Sequence, residues 1–504
     1  VADAAGLPSR AIVEKVLEAL RRVRHRGATV ADGRTGDGSG VLVPIPAYLL
    51  GGADGIAMIF ARRPDDRAVV EEACAAEGIA VSSWRPVPLE VDQLGAHARA
   101  TMPAVEQALI VRPPRLDDAE AELRAFHARK RIERAQGPYV ASLSFRTVTY
   151  KALCAADHLA AFYADLRDPR FAAAFGIFHQ RFSTNTEPSW ERAQPFRLLC
   201  HNGEINAIQG NVNWMRAREG RLGSADDDLL HPVIDENGSD SAMLDNALEL
   251  LVRHGRDVRH GVTMLAPPAW QCDDELDPGV RAFYRYHAGL VEPWDGPAAL
   301  VFTDGRVVGA SLDRNGLRPL RLAVCDDGLV VCGSEAGLVD LDGHGNVRRS
   351  KLGPGQVVAV EPGRGVEDDP TLKWRLARRR PYGTWLAEQR TPWSIGEPVE
   401  PPADDLVPQQ LLYGWTREDV LANLRPMAGS GHEPTSSMGD DTAIPPLANR
   451  PRPLTSYFRQ RFAQVTNPPI DHLRERQAMS IETLIGARAP LLTECPDAAA
   501  GWEL

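Results

Sequence analysis

The sequence is poor in the residues on which several classes of protein depend. Its 504 residues include seven cysteines, none of them in a C-x-x-C pair. This argues against a disulfide scaffold or a zinc site and favours free thiols in a reducing compartment. No run of about eighteen apolar residues occurs, so no membrane-spanning helix is predicted. The net charge of −11 argues against nucleic acid or an anionic membrane as a partner. Nothing at the start resembles a signal peptide, so we expect a cytoplasmic protein.

What is present is typical of a mixed globular enzyme of two or more domains. Apolar residues at helical spacing predict helices at 11–24 and 241–254. The charged, helix-forming residues of 117–135 predict a third helix, which is expected on the surface. Between 298 and 361, short apolar runs alternate with Asp-Gly turns, which predicts β-hairpins. Helices combined with antiparallel strands predict an α+β layered domain.

One composition break divides the chain. Residues 396–405 read GEPVEPPADD, and a stretch so rich in proline and acid is typical of a linker. The sequence therefore predicts a first domain over 1–395, a linker over 396–405 and a second domain over 406–504.

Two short blocks carry the chemistry. The first begins at His179 and reads HQRFSTN; it offers Arg181, whose guanidinium can clamp a carboxylate with two parallel hydrogen bonds. The second begins at His201 and reads HNGEI; it offers the Asn202 amide and the Gly203 N–H as a pair of donors for an oxyanion. A site with both functions suits acyl transfer from glutamine.

These blocks belong to a longer series that resembles the glutaminase domain of glutamate synthases, which are type II glutamine amidotransferases. The resemblance extends along nearly the whole chain. In chain order, the other blocks are HRGAT at His25, TGDGSG at Thr35, GSDSAMLDNALELL at Gly238, DRNGLRPLR at Asp313, GSEAGLVD at Gly333, SSMGDDT at Ser436 and FAQVTNPPID at Phe462. The resemblance implies the four-layer αββα sandwich of N-terminal nucleophile hydrolases. For 406–504 it implies the truncated start of an α/β central domain.

The resemblance also implies a role for each of several residues. Arg26 would lie beside the nucleophile and order it. Arg181 would hold the glutamine α-carboxylate, in a pocket that Phe182 and Thr184 also line. Asn202 and Gly203 would form the oxyanion hole, and Asp240 would accept hydrogen bonds from the glutamine α-ammonium group.

Structural roles are open for the same residues. Arg26 also fits a surface arginine at a helix end, and Arg181 fits a buried ion pair. Asn202 and Gly203 fit a hairpin turn. Asp240, or Ser239 before it, fits a helix N-cap, which the residues alone favour.

The nucleophile itself is not among the 504 residues. In the family it is an N-terminal Cys in a Cys-Gly-x-Gly-Phe motif, and its own α-amine, which titrates near ~7.7–8.0, serves as general base. The stretch that follows this motif matches VADAAGLPSR, which begins at Val1. We therefore expect the nucleophile upstream of Val1 and no glutaminase activity from the chain as it stands. The first cysteine present is Cys74, too far along to replace it.

Three other patterns carry no site. The Gly-rich run at 35–40 lacks Gly-Lys-Ser/Thr and precedes a strand pattern, so it is not a phosphate loop. Cys200 and His201 are neighbours on a predicted strand and point to opposite faces, which excludes a dyad. His179 has no second ligand at metal-site spacing, so no metal is predicted.

The resemblance implies more for the intact protein. Ammonia would pass through an internal tunnel to a (β/α)₈ synthase domain that aminates 2-oxoglutarate. FMN and an iron–sulfur cluster would lie in that part, so we expect no cofactor in this chain. Expected partners are L-glutamine, the rest of the large subunit and a small NADPH-oxidising FAD subunit, with NADH and ferredoxin also open as electron donors.

Two other functions stay open. The chain could be a different type II amidotransferase, against which the SSMGDDT and FAQVTNPPID blocks argue. It could instead be a catalytically dead binding or scaffold module, which the missing cysteine supports. The codons upstream of Val1 decide between truncation and true loss of the nucleophilic cysteine.

Overall fold

The computed structural model describes residues 1–181, 187–392, 406–412, 415–432, 484–486 and 488–503. Phe182, Thr184, the predicted linker 396–405 and the SSMGDDT and FAQVTNPPID blocks lie outside the described residues. The chain forms two compact units, one made of Val1–Thr391 with Pro469–Leu504 and the other of Pro392–Pro468. The domain borders at 395 and 406 stay predictions.

Strands run through the whole first unit. They are β1 Ala2–Asp3, β2 Ser39–Pro44, β3 Gly55–Ala61, β4 Ala80–Pro86, β5 Ala104–Val111, β6 Tyr139–Ser144, β7 Thr147–Ala152, β8 Ile177–Gln180, β9 Leu199–Gly203, β10 Ala298–Thr303, β11 Val308–Leu312, β12 Arg321–Cys325, β13 Leu329–Gly333, β14 Val347–Lys351, β15 Val357–Glu361, β16 Gly365–Glu367, β17 Arg390–Pro392, β18 Leu484–Ile485 and β19 Gly501–Glu503.

Helices alternate with these strands and also form the described part of the second unit. They are α1 Arg10–Arg22, α2 Ala47–Leu50, α3 Asp66–Ala76, α4 Ala96–Ala100, α5 Asp118–Arg134, α6 Ala156–Phe162, α7 Ile208–Arg218, α8 Asp227–Leu230, α9 Asp240–Arg253, α10 Val258–Leu265, α11 Pro278–Ala288, α12 Asp369–Ala377, α13 Tyr382–Gln389, and in the second unit α14 Leu406–Leu412, α15 Arg417–Asp419 and α16 Arg425–Ser430. None of the described helices combines the length and the apolar composition needed to cross a membrane.

The first unit is built as four layers. Three antiparallel sheets form the two inner layers: the first layer is the sheet of order β16-β15-β11-β10-β9, and the second layer is made of the sheets β1-β13-β12-β14 and β7-β2-β8. Their inner faces share an apolar core that includes Leu42, Cys200 and Val360. Helices α9 to α13 cover the outer face of the first sheet layer. Helices α1 and α6 cover the outer face of the second sheet layer. The predicted α+β layered fold is therefore confirmed.

Helix α1 shows why the sequence folds in this way. Ser9 caps its first turn by accepting a hydrogen bond from the Ile12 N–H at 3.3 Å. Its apolar residues recur every three or four positions and are buried against strands of the second layer, as the spacing predicts. Helices α1, α5 and α9 confirm the three predicted helices. The hairpins predicted between 298 and 361 are confirmed as β10–β11 and β12–β13.

The prediction that the second of these helices, α5, lies on the surface is wrong. About half of its 17 residues are buried, between a further sheet of order β4-β5-β3-β6 and helix α9. Its charges are paired across the interior, with Arg129 2.7 Å from Glu249 and Glu122 2.6 Å from Arg253. Buried charges are tolerated when they are paired in this way. The partners stand more than a hundred positions away, so local pattern cannot reveal them.

The described end of the chain packs against helices α10, α11 and α13 of the first unit. The Tyr286 hydroxyl donates to the Cys495 carbonyl at 3.0 Å, and Tyr382 donates to the Glu494 carboxylate. Beneath these contacts, His260 and His287 are buried with their Nε2 atoms 2.8 Å apart. Because His287 Nδ1 donates to the Phe283 carbonyl, its Nε2 accepts the proton of His260.

This histidine pair predicts a loss of stability in acid. Burial, and for His260 the neighbouring His287, hold the pKa of both imidazoles well below the ordinary value of 6.5. Both are therefore neutral when folded, whereas the unfolded chain binds protons below about pH 6.5. The free energy of unfolding should fall below that pH by about 1.4 kcal/mol per pH unit for each histidine. In urea titrations, His260→Gln should remove one histidine's share of the slope; an unchanged slope would contradict the assignment.

Candidate active site

A cavity of about 480 Å³ opens in the first unit, lined by residues from both inner sheet layers and from the start of α9. This volume suits a small ligand. The lining includes Val1 and five of the residues singled out from the sequence: Arg26, Arg181, Asn202, Gly203 and Asp240. The structure thus brings together side chains that lie more than 200 positions apart in the chain.

Arg181 follows β8 directly and is 5% exposed. Its backbone N–H donates to the Gly38 carbonyl at 2.8 Å, and its Nη1 lies 3.5 Å from the Asp37 carbonyl oxygen. Burial lowers the pKa of the guanidinium, while the carboxylates of Asp37 and Asp240 oppose that shift. The buried, positively charged guanidinium of Arg181 therefore lines the cavity and interacts electrostatically with the Asp240 carboxylate.

The glycine-rich run at 35–40 supports this arginine. A Cβ at Gly38, which has φ +123°, would lie 2.7 Å from Ala193 Cβ, and one at Gly40 would lie 2.6 Å from the Gln194 carbonyl oxygen. The glycines allow two backbone segments to approach closely. The run leads into strand β2, whereas a phosphate loop would lead into a helix. The rejection of a phosphate loop therefore agrees with the structure.

Asn202 and Gly203 end strand β9, opposite Ala299 and Ala298 of β10. They lie in a strand, so the hairpin-turn interpretation is wrong. Gly203 has φ +147°, and a Cβ there would lie 1.6 Å from the Pro297 carbonyl oxygen. Glycine is therefore required at this position by both its backbone angle and its neighbour.

A pair of Gly→Ala substitutions tests this requirement. Gly203→Ala should lower the free energy of unfolding by about 3 kcal/mol, because the new methyl group meets backbone that cannot move aside. Gly210→Ala is the matched control: Gly210 lies in α7 with no atom within 4 Å of its Cβ position. The control should stabilise the protein by about 0.5–1 kcal/mol. Equal effects in chemical denaturation would refute the argument.

Asp240 is the first residue of α9, and its neighbour Ser239 is the N-cap, accepting from the Ala242 N–H at 3.3 Å. Of the two caps that the sequence left open, Ser239 is correct and Asp240 is not. The Asp240 carboxylate instead accepts from the Ile205 N–H at 2.9 Å. Its side chain is 26% exposed, on the cavity wall.

Helix α9 also holds the other end of β9. The buried Asp245 carboxylate accepts from the backbone N–H groups of Arg197, Leu198 and Leu199 at 3.2, 2.8 and 3.1 Å. Together with the Asp240 contact just beyond the strand, this fixes β9 at both ends. The position of Asn202 and Gly203 therefore depends on α9.

Arg26 lies in the short 3₁₀ helix Arg24–Arg26 that follows α1. Its Nε donates to Glu335 Oε2 at 2.8 Å, and it lines the cavity. The side chain is 35% exposed. The helix-end location is correct, and the ion pair with Glu335 holds the side chain.

Val1 is buried at the cavity. It exchanges two backbone hydrogen bonds with Gly176, at 3.0 and 2.9 Å, and the strand that follows pairs with β13. Cys200 and Cys332 also line this cavity, but burial raises the pKa of both thiols to about 12. Neither thiol is suited to act as a nucleophile near neutral pH.

The rejected Cys200–His201 dyad stays rejected. The Cys200 Sγ lies 3.5 Å from the Phe178 carbonyl oxygen on one side of β9, whereas His201 Nδ1 meets Ser241 on the other. His179 lines the cavity, and burial lowers its pKa to about 3. One group among the described residues has metal-ligand spacing, namely His260, His287 and Glu494. This group does not line the cavity, and the hydrogen bond between the two imidazoles explains why they lie so close together.

Sequence reasoning assigned no role to three other lining residues: His201, Ser241 and Arg318. Each stands inside one of the blocks that carry the resemblance, and this is the sequence signal by which they could have been found. Their contacts come from different parts of the chain, so their role could not be derived from spacing.

Sequence comparison identifies the family. The family described as "Glutamine amidotransferases class-II" matches residues 1–385. The chain belongs to the class-II glutamine amidotransferases. A second family, described as "Glutamate synthase central domain", matches residues 408–504. The resemblance drawn from the motifs is thereby confirmed, as is the four-layer sandwich it implied for this amidotransferase.

Named relatives of this amidotransferase are glutamate synthases. The chain is 42% identical to ferredoxin-dependent glutamate synthase 2 of Synechocystis sp., over 98% of this chain and 34% of that protein. It is 41% identical to the glutamate synthase (NADPH) large chain of Azospirillum brasilense, over 97% and 35%. For the corresponding protein of Bacillus subtilis the figures are 40%, 97% and 34%. The chain spans about a third of the length of these curated relatives.

Proposed function

We propose that the cavity is the glutaminase site of a glutamate synthase, where L-glutamine is hydrolysed to glutamate and ammonia. The observation that carries the proposal is the meeting, in one cavity, of a buried arginine, an aspartate carboxylate and the Asn-Gly end of a strand. Arg181 and Asp240 are complementary to the carboxylate and the ammonium group of an amino acid. Asn202 and Gly203 supply the donors that a tetrahedral oxyanion requires.

The nucleophile in this proposal is a cysteine encoded upstream of Val1. The placement of Val1, which is buried in the cavity wall beside Gly176, supports this assignment. The preceding residues would then emerge at the same cavity. Arg26, held by Glu335, would order them.

The chemistry follows from these positions. The cysteine α-amine takes the thiol proton, and the thiolate attacks the amide carbon of glutamine. The Asn202 amide and the Gly203 N–H stabilise the oxyanion, and the protonated α-amine gives its proton to the leaving nitrogen, so that ammonia departs and a thioester remains. Water then attacks the thioester, and glutamate is released with the thiol restored.

The rest of the protein completes the proposal. Ammonia would be channelled to a synthase domain outside this chain, which would aminate 2-oxoglutarate with FMN and an iron–sulfur cluster bound there. Partners would be the remainder of the large subunit and a small NADPH-oxidising FAD subunit or another electron donor. A cytoplasmic location is part of the proposal, supported by the free thiols of the described cysteines.

Ammonia release tests the proposal. The 504-residue chain should release no ammonia from glutamine. A longer version, with Cys-Gly-Val-Gly-Phe placed before Val1 and processed to expose the cysteine amine, should do so. The matched control replaces that cysteine by serine and should be inactive. Ammonia release by the 504-residue chain would refute the upstream nucleophile, and an inactive cysteine version within the full-length protein would favour a binding module instead.

A further inference from the structure

Three polar residues that line the cavity form a hydrogen-bonded row. His201 Nδ1 lies 2.8 Å from Ser241 Oγ, and Ser241 Oγ lies 3.2 Å from Asp240 Oδ1. The His201 ring has no exposure and Ser241 is buried, whereas the Asp240 side chain is 26% exposed on the cavity wall. The row therefore runs from two buried groups to a partly exposed carboxylate.

The row is continuous in the tautomer of His201 that carries its proton on Nδ1. An ionised carboxylate only accepts, so the single hydroxyl proton of Ser241 is donated to Asp240. The serine oxygen is then free to accept, and His201 Nδ1–H is its donor. The main chain of His201 is held in turn, since its backbone N–H donates to Gln194 Oε1 at 2.7 Å.

Both oxygens of Asp240 thus have a protein donor. Oδ1 accepts from Ser241, and Oδ2 accepts from the Ile205 N–H at 2.9 Å. Two donors on different oxygens prevent the carboxylate from rotating about its last bond. A carboxylate offers about four lone-pair sites, so acceptor capacity remains for a ligand in the cavity.

We propose that Ser241 and His201 are positioning residues that orient the Asp240 carboxylate toward the α-ammonium group of the amino acid substrate. The inference rests on the proposed function and adds to it what determines recognition of the amino end. Neither residue has to touch the substrate. Hydrogen bonds weaken steeply when their geometry is poor, so a carboxylate released from the row would bind the ammonium group less well.

Packing of α9 against β9 is the competing explanation of the row. A purely structural contact would affect every substrate in the same way when it is lost. A positioning contact affects only substrates that carry the ammonium group. The des-amino analogue of glutamine, 5-amino-5-oxopentanoate, keeps the amide and the α-carboxylate but has no ammonium group, and so separates the two explanations.

The test uses the full-length protein with its upstream cysteine. Ser241→Ala should raise KM for glutamine roughly threefold to tenfold, with kcat little changed, because one hydrogen bond to the carboxylate is lost. KM for the des-amino analogue should not change. His201→Leu should give the same pattern, whereas His201→Asn, whose amide can still donate to Ser241, should restore most of the affinity.

The outcomes separate the inference from the proposed function. If the unsubstituted protein releases no ammonia from glutamine, the proposed function itself fails. If that protein is active but Ser241→Ala and His201→Leu change KM equally for both substrates, or for neither, the positioning role is overturned. Thermal unfolding of each variant identifies any that fails to fold, and the rescue by His201→Asn remains informative in that case.

Discussion

Asn202→Ala should lower kcat for glutamine hydrolysis by about 10²–10³, with little change in KM, in the version that has Cys-Gly-Val-Gly-Phe placed before Val1. Asn202 stands at the end of β9, where it lines the cavity beside Gly203. Its amide is assigned to the oxyanion, which exists only after attack on the substrate. Loss of such a donor raises the barrier of the chemical step and leaves substrate binding nearly intact.

The matched control for this substitution is Asn213→Ala. Asn213 is exposed on α7 and does not line the cavity. It should leave both kinetic constants unchanged in a steady-state ammonia-release assay. A rise in KM with unchanged kcat for Asn202→Ala would contradict the oxyanion assignment and make Asn202 a substrate-binding residue.

Arg181→Lys should have the opposite kinetic signature. KM for glutamine should rise roughly 10- to 100-fold, since a lysine cannot make the two parallel hydrogen bonds to a carboxylate, and a hydrogen bond to a charged group contributes ~1.5–3 kcal/mol. The effect on kcat should be smaller, because the α-carboxylate is bound in the ground state and the transition state alike. Steady-state kinetics over a wide range of glutamine concentration measures both.

Arg170→Lys is the control for this second substitution. Its side chain is 68% exposed and pairs with Asp168 on the surface, so KM should not change. An unchanged KM in Arg181→Lys would show that the arginine has a structural role, as in the buried ion pair that the sequence left open.

The sequence predicted the layered fold because its signals are local. The apolar spacing in α1 and α9, the charged helix-forming residues of α5 and the Asp-Gly turns between 298 and 361 depend on neighbours in the chain, and each became the predicted element. The burial of α5 was mispredicted for the converse reason. Its charges are neutralised by Glu249 and Arg253, which are remote in sequence.

The candidate site likewise has features that local motifs predict and features that depend on contacts between remote residues. Arg181, Asn202 and Asp240 stand in recognisable blocks, and the structure places all three at one cavity. The need for glycine at position 203 could not be derived from the sequence. It is imposed by the carbonyl oxygen of Pro297, a residue that directly precedes β10 and is remote in the chain. The contact of His201 with Ser241 likewise joins residues forty positions apart. Contacts of this kind depend on the packing of α9 on β9, which no local pattern encodes.

The most direct test of the proposed glutaminase site is a crystal structure, with glutamine bound, of the full-length protein in which the proposed upstream cysteine is changed to serine. The account predicts the α-carboxylate paired with Arg181 through two hydrogen bonds and the α-ammonium group on Asp240. It also predicts the amide oxygen directed at Asn202 and Gly203. Glutamine bound outside this cavity, or bound with its amide end at Arg181, would contradict it.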